Sequence, residues 1–505
     1  MSASPAQARP KPDPGWLWAA SFAVIAFAIR LAVVLRGGGL FGRIGYDGAV
    51  YYASASALAH GYLPYRDFLL LHPPGITLAL LPFAALGRVF GDPYAYALAR
   101  LAWFGFGAAS TALVYVVVRS RGLVPAAVAA ACYAVFVPAV VSEHTTSLEA
   151  VGSVCLLGSL ALLTRGRGVA PSRFSLVAAG ALLGFSSATK IWAVAVGVVV
   201  VIWAFSRLGA RRGSLVLAGA VGAVVLACLP FFIAAPGSMW RMVVLDQLGR
   251  RRVSESLAGR VADIAGLSQL RHHSWTGALA VAVLVVGACV LTLTLGDTLG
   301  RLVAAVLVVG VGVLLASPPW SVAYTGLVAP AVAVLLGCAV ARSADLNRRL
   351  RSAVPVLVVL GLVGYSVVSL PSFRPGSRFP GRTLEASLAH LPGCVTTDDP
   401  IALIETGALR RNFERGCPVV VDLSGYSYDL QPAASRQLSR PHNEQWQRVV
   451  VEHLGSGRAS VEVRFRTLTG FSRATKEVVG SWPVLTTVGG YRLREPAPRT
   501  ISPFR

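Results

Sequence analysis

The chain has 505 residues, 55% of them hydrophobic, a mean hydropathy of +0.63 and only 14% charged residues. Soluble domains hold about 25% charged residues, so a wholly soluble protein is excluded. The net charge of +23 is almost all arginine, with lysine only at Lys11, Lys190 and Lys476. Many of these arginines fall in short loops between apolar runs, and no basic stripe interleaves with aromatics on a soluble domain. Nucleic-acid binding is therefore set aside.

In chain order, residues 1–15 are polar and Pro-rich and read as a cytoplasmic tail. At roughly 20 apolar residues per crossing, spans are expected at 16–36, 96–118, 124–141, 148–164, 174–189, 190–206, 214–235, 276–296, 301–317, 320–340 and 353–371. A further apolar segment, 76–90, is broken by Pro82 and Arg88 and reads as interfacial or re-entrant. Residues 16–371 thus form an all-α polytopic membrane domain of about 11 transmembrane helices. Loop charges orient it. Arg119 and Arg121, Arg165, Arg167 and Arg173, Arg207, Arg211 and Arg212, and Arg342, Arg348, Arg349 and Arg351 all fall on one side with the N-terminal tail. The positive-inside rule makes that side cytoplasmic and puts the loop 37–75 outside. The loop 236–275 is external by the same count yet carries Arg241, Arg250, Arg251, Arg252, Arg260 and Arg271.

Past Pro371 the composition becomes charged and turn-rich. Residues 372–505 read as a small extracytoplasmic α/β domain. GCVTTDDP is expected to be a strand, IALIETGALRR a helix, CPVVVDLSG a strand, 443–454 a helix, and VLTTVGGYRLRE a terminal strand pair or edge. Cys394 and Cys417 are the two cysteines of this domain, and in an oxidising compartment they suggest a disulfide. The other five lie in apolar spans and read as packing residues. No Cys/His cluster has zinc spacing; the pair His272–His273 reads as boundary residues before a metal site.

The first polar interruption, GYDGAVYYASASALAHGYLPYRDFLLLHPPG at 45–75, concentrates Asp47, His60, Arg66, Asp67 and His72 with five tyrosines. Asp47 is either a general base or a helix N-cap, and both readings stay open. Tyr51 shares its helical face. Arg66, Asp67 and His72 read first as parts of a structural loop. In SEHTTSLEA, Glu143 and His144 top one span and Glu149 begins the next. A carboxylate there needs a partner or a task, and a first-turn role is the competing reading for Glu149. Lys190 is the only lysine of the membrane domain. It either binds an anion, pairs with a carboxylate, or snorkels to the surface. Arg250, Arg251 and Arg252 could clamp a phosphate or lie on anionic lipid.

These residues resemble a known group. A span precedes YDGAVYY; then come A-x-x-L-x-x-G-Y-x-P-Y-R-D, H-P-P-G, an acidic turn after the third span, and a span containing Lys190. The pattern resembles the GT-C superfamily of membrane glycosyltransferases, in the branch of protein O-mannosyltransferases and the lipid A aminoarabinose transferase. SPPWSVAYTGLVAPAVAVLLG, which holds Tyr324, is similar to a late motif of that branch. The likeness covers about residues 16–340. The composition suggests an actinobacterial source.

The resemblance implies an inverting glycosyltransferase that moves a sugar from a polyprenyl-phosphate donor to a cell-envelope glycan, lipid or protein acceptor. The reaction would take place on the outer face of the plasma membrane. Asp47 would deprotonate the acceptor. Lys190, Arg250, Arg251 and Arg252 would hold the donor phosphate. Tyr51, Arg66, Asp67, His72, Glu143, His144, Glu149 and Tyr324 would orient the substrates. Many relatives carry two adjacent acidic residues in the first loop, whereas Gly48 follows Asp47 here. No dedicated metal site is visible, and because metal dependence varies in the superfamily a divalent cation stays open as a cofactor. Mannose and arabinofuranose are the sugars that analogy suggests. Two other classes compete. A lipid-linked-sugar flippase or transporter would need charges along several spans, but apart from Arg30, Arg100 and Lys190 the spans are nearly bare. A non-catalytic envelope assembly protein would leave Asp47 dispensable.

Overall fold

The computed structural model describes residues 15–164, 170–270, 276–430, 434, 437–463 and 470–496. His272 and His273 lie outside these residues. Helices run through every apolar segment expected from the sequence. They are α1 (Gly15–Arg36), α2 (Asp47–Ala59), α3 (Gly75–Phe90), α4 (Asp92–Val118), α5 (Leu123–Val135), α6 (Val137–Glu143), α7 (Leu148–Leu163), α8 (Arg173–Thr189), α9 (Ala193–Leu208) and α10 (Ala210–Ala234). The former loop 236–275 holds α11 (Pro236–Trp240), a π-turn, α12 (Asp246–Leu248) and α13 (Leu257–Ile264); then follow α14 (Thr276–Thr294), α15 (Thr298–Ala316), α16 (Ala329–Leu346) and α17 (Arg348–Ser372).

Among the described residues, six helices are long and apolar enough to cross a membrane: α1, α4, α10, α15, α16 and α17. A seventh crossing is made if α5 and α6, bent by 55°, count as one. Phe136, in extended conformation, sits at the bend, and Pro138 opens the second arm. The segments expected at 148–164, 174–189 and 190–206 are helices of 16, 17 and 16 residues, shorter than roughly 20 residues. The span expected at 320–340 begins instead at Ala329. Pro318, Pro319 and a 3-10 turn at Val322–Leu327 occupy its first third.

Helices α8 and α10 touch backbone to backbone. A Cβ at Gly180 or Gly184 would strike the carbonyls of Val216 and Ala220, and one at Gly219 would strike that of Val177. Only glycine permits this approach, and it fixes the end of α8, where Lys190 emerges.

The C-terminal domain carries a four-stranded sheet in the order β1-β2-β4-β3, with β1 (Val395–Thr397) parallel to β2 (Ala459–Glu462) and the rest antiparallel. β3 (Val484–Val488) and β4 (Tyr491–Arg494) form the hairpin expected from VLTTVGGYRLRE, turning at Gly489 and Gly490, both at positive φ. Helix α21 (Glu444–Gly455) is capped by the Asn443 side chain. Two expectations fail. IALIETGALRR forms two short helices, Ile401–Glu405 (α19) and Ala408–Glu414 (α20), broken at Gly407 in the left-handed region. CPVVVDLSG pairs with no strand: its β-branched run packs into the core without a free sheet edge, and β-propensity requires a partner. Cys394 and Cys417 are disulfide-bonded.

One hydrophobic core joins the first loop to the C-terminal domain. Tyr46, Leu69 and Leu71 share it with Leu384, Ile401 and Val461. Backbone bonds between Arg43 and Ser377, at 2.9 and 3.0 Å, tie the two segments.

Candidate active site

The first loop is built to return on itself. Tyr65 takes φ 68°, the only non-glycine at positive φ among the described residues. Its hydroxyl donates to the His72 carbonyl at 2.7 Å, and its N–H to Phe68 at 2.9 Å. An aromatic residue in this region is costly unless its surroundings hold it. The reversal brings the His72 ring to 5.7 Å from that of Tyr51 on α2. Burial, then the charges of Arg250 and Lys190, push the His72 imidazole well below its ordinary range, which keeps it neutral.

Asp47 opens α2 but does not cap it: Tyr46 is the N-cap, with no side-chain capping bond. The Asp47 carboxylate is exposed and makes no hydrogen bond among the described residues. Gly48 behind it has no room for a side chain, since a Cβ would lie 2.6 Å from the Thr145 hydroxyl and 2.8 Å from that of Thr146. The Thr146 hydroxyl donates to the Gly48 carbonyl at 3.0 Å. A second acidic residue in the usual adjacent place is therefore sterically barred.

Lys190 lies near Asp47, whose charge acts on it. Its Nζ donates to Glu149 Oε1 and lies 3.8 Å from the Tyr324 ring centroid and 4.2 Å from that of Trp192. The two rings meet edge to face at 5.0 Å. The ammonium is thus boxed by one carboxylate and two aromatic faces. Beside it, between α7, α8 and α9, a narrow cavity of about 30 Å³ is walled by Leu156, Leu183 and Val196.

Arg250 supplies the second cation. It is buried, its guanidinium stacks 4.6 Å from the Tyr428 ring, and it has no carboxylate partner among the described residues. Its charge acts on Tyr51, His72, Lys190 and Tyr324. Its neighbours in the run go elsewhere. Arg251 is exposed, and the exposed Arg252 donates to the Leu315 carbonyl at 3.2 Å. Of the expected clamp, the first arginine is the one whose charge acts on Tyr51 and Tyr324.

Several other expected site residues are structural. Glu143 is wholly buried, its Oε2 held by Arg30 at 2.6 and 2.9 Å and its Oε1 by Tyr133 at 2.6 Å, which leaves nothing for a substrate. His144 is buried, its Nδ1 bonded to the Val141 carbonyl and its ring against Phe373. Arg66 and Asp67 form an exposed neighbouring pair, and Asp67 accepts the Leu63 N–H at 2.7 Å to close a turn. That pairing holds the Asp67 carboxyl below its usual range.

We compared the chain with known proteins. The model of Glycosyltransferase family 87 matches residues 70–318, just under half of the chain, a stretch that contains Glu149, Lys190 and Arg250. Of the solved structures, ArnT from Cupriavidus metallidurans bound to undecaprenyl phosphate superposes with a TM-score of 0.54 at 15% identity, covering 96% of this chain and all of that one. The Archaeoglobus fulgidus oligosaccharyltransferase AglB, in complex with an inhibitory peptide and a dolichol-phosphate, gives 0.53 at 13% identity over 90% of this chain and 70% of that one. The fold of this chain is thus similar to that of ArnT and AglB. No curated protein matches the sequence.

The sequence reading missed a contribution to the candidate site from the C-terminal domain. The Tyr46 hydroxyl, next to Asp47, donates to Asp422 Oδ1 at 3.0 Å and accepts the Ser424 N–H at 3.0 Å. Burial, with the nearby Asp47 charge adding to it, raises the Asp422 carboxyl above its usual range. Arg241 pairs with Asp429 at 2.9 Å, and Gln437 donates to the Gly249 carbonyl at 3.0 Å. The sequence signal was the stretch DLSGYSYDL, with two tyrosines and two aspartates, which resembles no motif on its own. No group of three or more His, Cys, Asp or Glu among the described residues could hold a metal ion, and Glu149 is already engaged by Lys190. The donor set does not fit a divalent cation, and no step is derived through one.

Proposed function

We propose that the protein is an inverting glycosyltransferase that uses a sugar carried on a polyprenyl phosphate and a hydroxyl-bearing envelope acceptor, at the outer face of the membrane. The observation that carries this reading is an unbonded carboxylate, Asp47, and a buried guanidinium, Arg250, with no carboxylate partner among the described residues, whose charges both act on Tyr51, Lys190 and Tyr324. A buried unpaired cation is costly, and a phosphate supplies its missing partner.

Asp47 takes the proton of the acceptor hydroxyl. The freed oxygen attacks the anomeric carbon from the face opposite the phosphate. The bond from that carbon to the phosphate oxygen breaks, its electron pair leaves with the polyprenyl phosphate, and the configuration inverts. Arg250 and Lys190 stabilise the negative charge that grows on the phosphate. Trp192, Tyr324 and Glu149 fix Lys190, and neutral His72 packs Tyr51 beside the base. The apolar walls between α7, α8 and α9 receive the start of the lipid chain. The lipid carriers bound by ArnT and AglB support this donor class. The charge map of the loops supports the outer face, with the N-terminus cytoplasmic.

The test is transfer by the purified protein from a panel of radiolabelled polyprenyl-phosphate sugars to envelope acceptors. Labelled product and released polyprenyl phosphate are expected with one donor. No transfer from any member of the panel contradicts the proposal.

A further inference from the structure

A second cavity, of about 320 Å³, lies where the first loop, the start of α4 and the linker to the C-terminal domain meet. Its lining contains none of Asp47, Lys190 and Arg250. Its size is at the lower end of small-molecule sites, about 300–1,000 Å³. Its walls combine two kinds of chemistry. Phe41 and Tyr94, 43% and 54% exposed, meet edge to face at 5.7 Å and offer ring surface to the opening. Arg382, Glu385, Glu405 and Phe379 also line it, and the Arg382 guanidinium donates to the Tyr94 hydroxyl at 3.5 Å. Glu405 is 4% exposed, yet its Oε1 has no hydrogen-bond partner. A buried carboxyl oxygen left unpaired is costly, and its residue lines the cavity. Gly381 makes the floor: a Cβ there would lie 2.6 Å from the Glu405 carbonyl, so the bare backbone keeps the space beside that side chain.

Exposed aromatic faces beside unpaired carboxyl oxygens fit a ligand with both C–H surface and hydroxyl donors. With Glu405 held mostly neutral by burial, Glu385 balances the single Arg382, which leaves no net positive charge to attract a lipid phosphate. We propose that this cavity binds one sugar ring of a glycan. The ring's apolar face lies on Tyr94 and Phe41, and its hydroxyls donate to Glu405 and Glu385. The site is separate from the transfer chemistry and does not depend on it.

The test is saturation-transfer difference NMR on the full-length protein in lipid nanodiscs. The probes are tetrasaccharides of mannose, glucose, galactose and arabinofuranose. At least one should give ring-proton signals with the wild type. Tyr94→Ala and Phe41→Ala change exposed side chains, so their folding is not at risk, and each should cut those signals at least fivefold. Glu405→Gln should cut them while Tm is retained. Asp47→Ala should leave them intact while abolishing transfer, so failure of the catalytic reading is distinguishable from failure of this one. Signals from none of the probes, equal signals from Tyr94→Ala and the wild type, or saturation of lipid headgroups instead of sugar at this site would overturn the proposal.

Discussion

Two glutamates six positions apart in one turn have opposite fates. Glu143 and Glu149 are both buried, and each meets one cation. Around Glu143 every polar valence is used, by Arg30, by Tyr133 and, for Arg30, by the Ala26 and Ala134 carbonyls. Around Glu149 the pair is open: Lys190 makes one hydrogen bond and otherwise faces two rings and the charges of Arg250 and Asp47. Burial and charge are alike in the two places. What separates a structural ion pair from a working one is whether any bonding capacity is left over.

The largest expected effect breaks the saturated pair. Arg30→Ala strands the Glu143 carboxylate and should cost about 3–5 kcal/mol, seen as loss of monodisperse protein in size-exclusion chromatography. The open pair behaves differently. Lys190→Met combined with Glu149→Gln removes both charges together and should fold with little change in Tm, while transfer falls by about a hundredfold or more. Equal loss of folded protein from both changes would erase the contrast.

Next is the arginine run. Arg250→Ala should lower kcat/KM by about 10²–10³-fold, with partial rescue by Arg250→Lys. Arg251→Ala and Arg252→Ala, both exposed, should change it less than about threefold. Equal effects at all three positions would return the run to a general lipid-binding role.

The smallest effect is in pH. Burial pushes the Glu405 carboxyl up to about 8. Its contribution to stability is fully present below the unfolded value near ~4.3 and is lost as pH rises through about 8. The wild-type Tm should therefore fall between pH 6 and pH 9, by a few degrees more than that of Glu405→Gln. Parallel curves would contradict this assignment.

Much of the membrane domain was legible because lipid demands long apolar runs, and helices occupy all of those segments. Asp47, Lys190 and Arg250 were legible for the complementary reason, as polar groups where apolar ones are expected. Saturation was not legible: composition ranks Glu143 and Glu149 alike, and only the fold brings Arg30 to one and Lys190 to the other across more than 100 and about 40 residues respectively. Nor was the docking of Asp422 and Ser424 onto the first loop, which rests on contacts with Tyr46 across 376 and 378 residues. The misplaced start of α16 follows from reading Trp320 and Val322 as span residues, whereas Pro318 and Pro319 force a turn.

The most direct test of the account is transfer by Asp47→Ala, with folding confirmed by an unchanged melting temperature. The carboxylate is exposed and unbonded, so its removal should leave stability intact and lower the rate by about 10²–10⁴-fold, with donor binding retained. Transfer at the wild-type rate by the folded variant would contradict the assignment of Asp47 as the base.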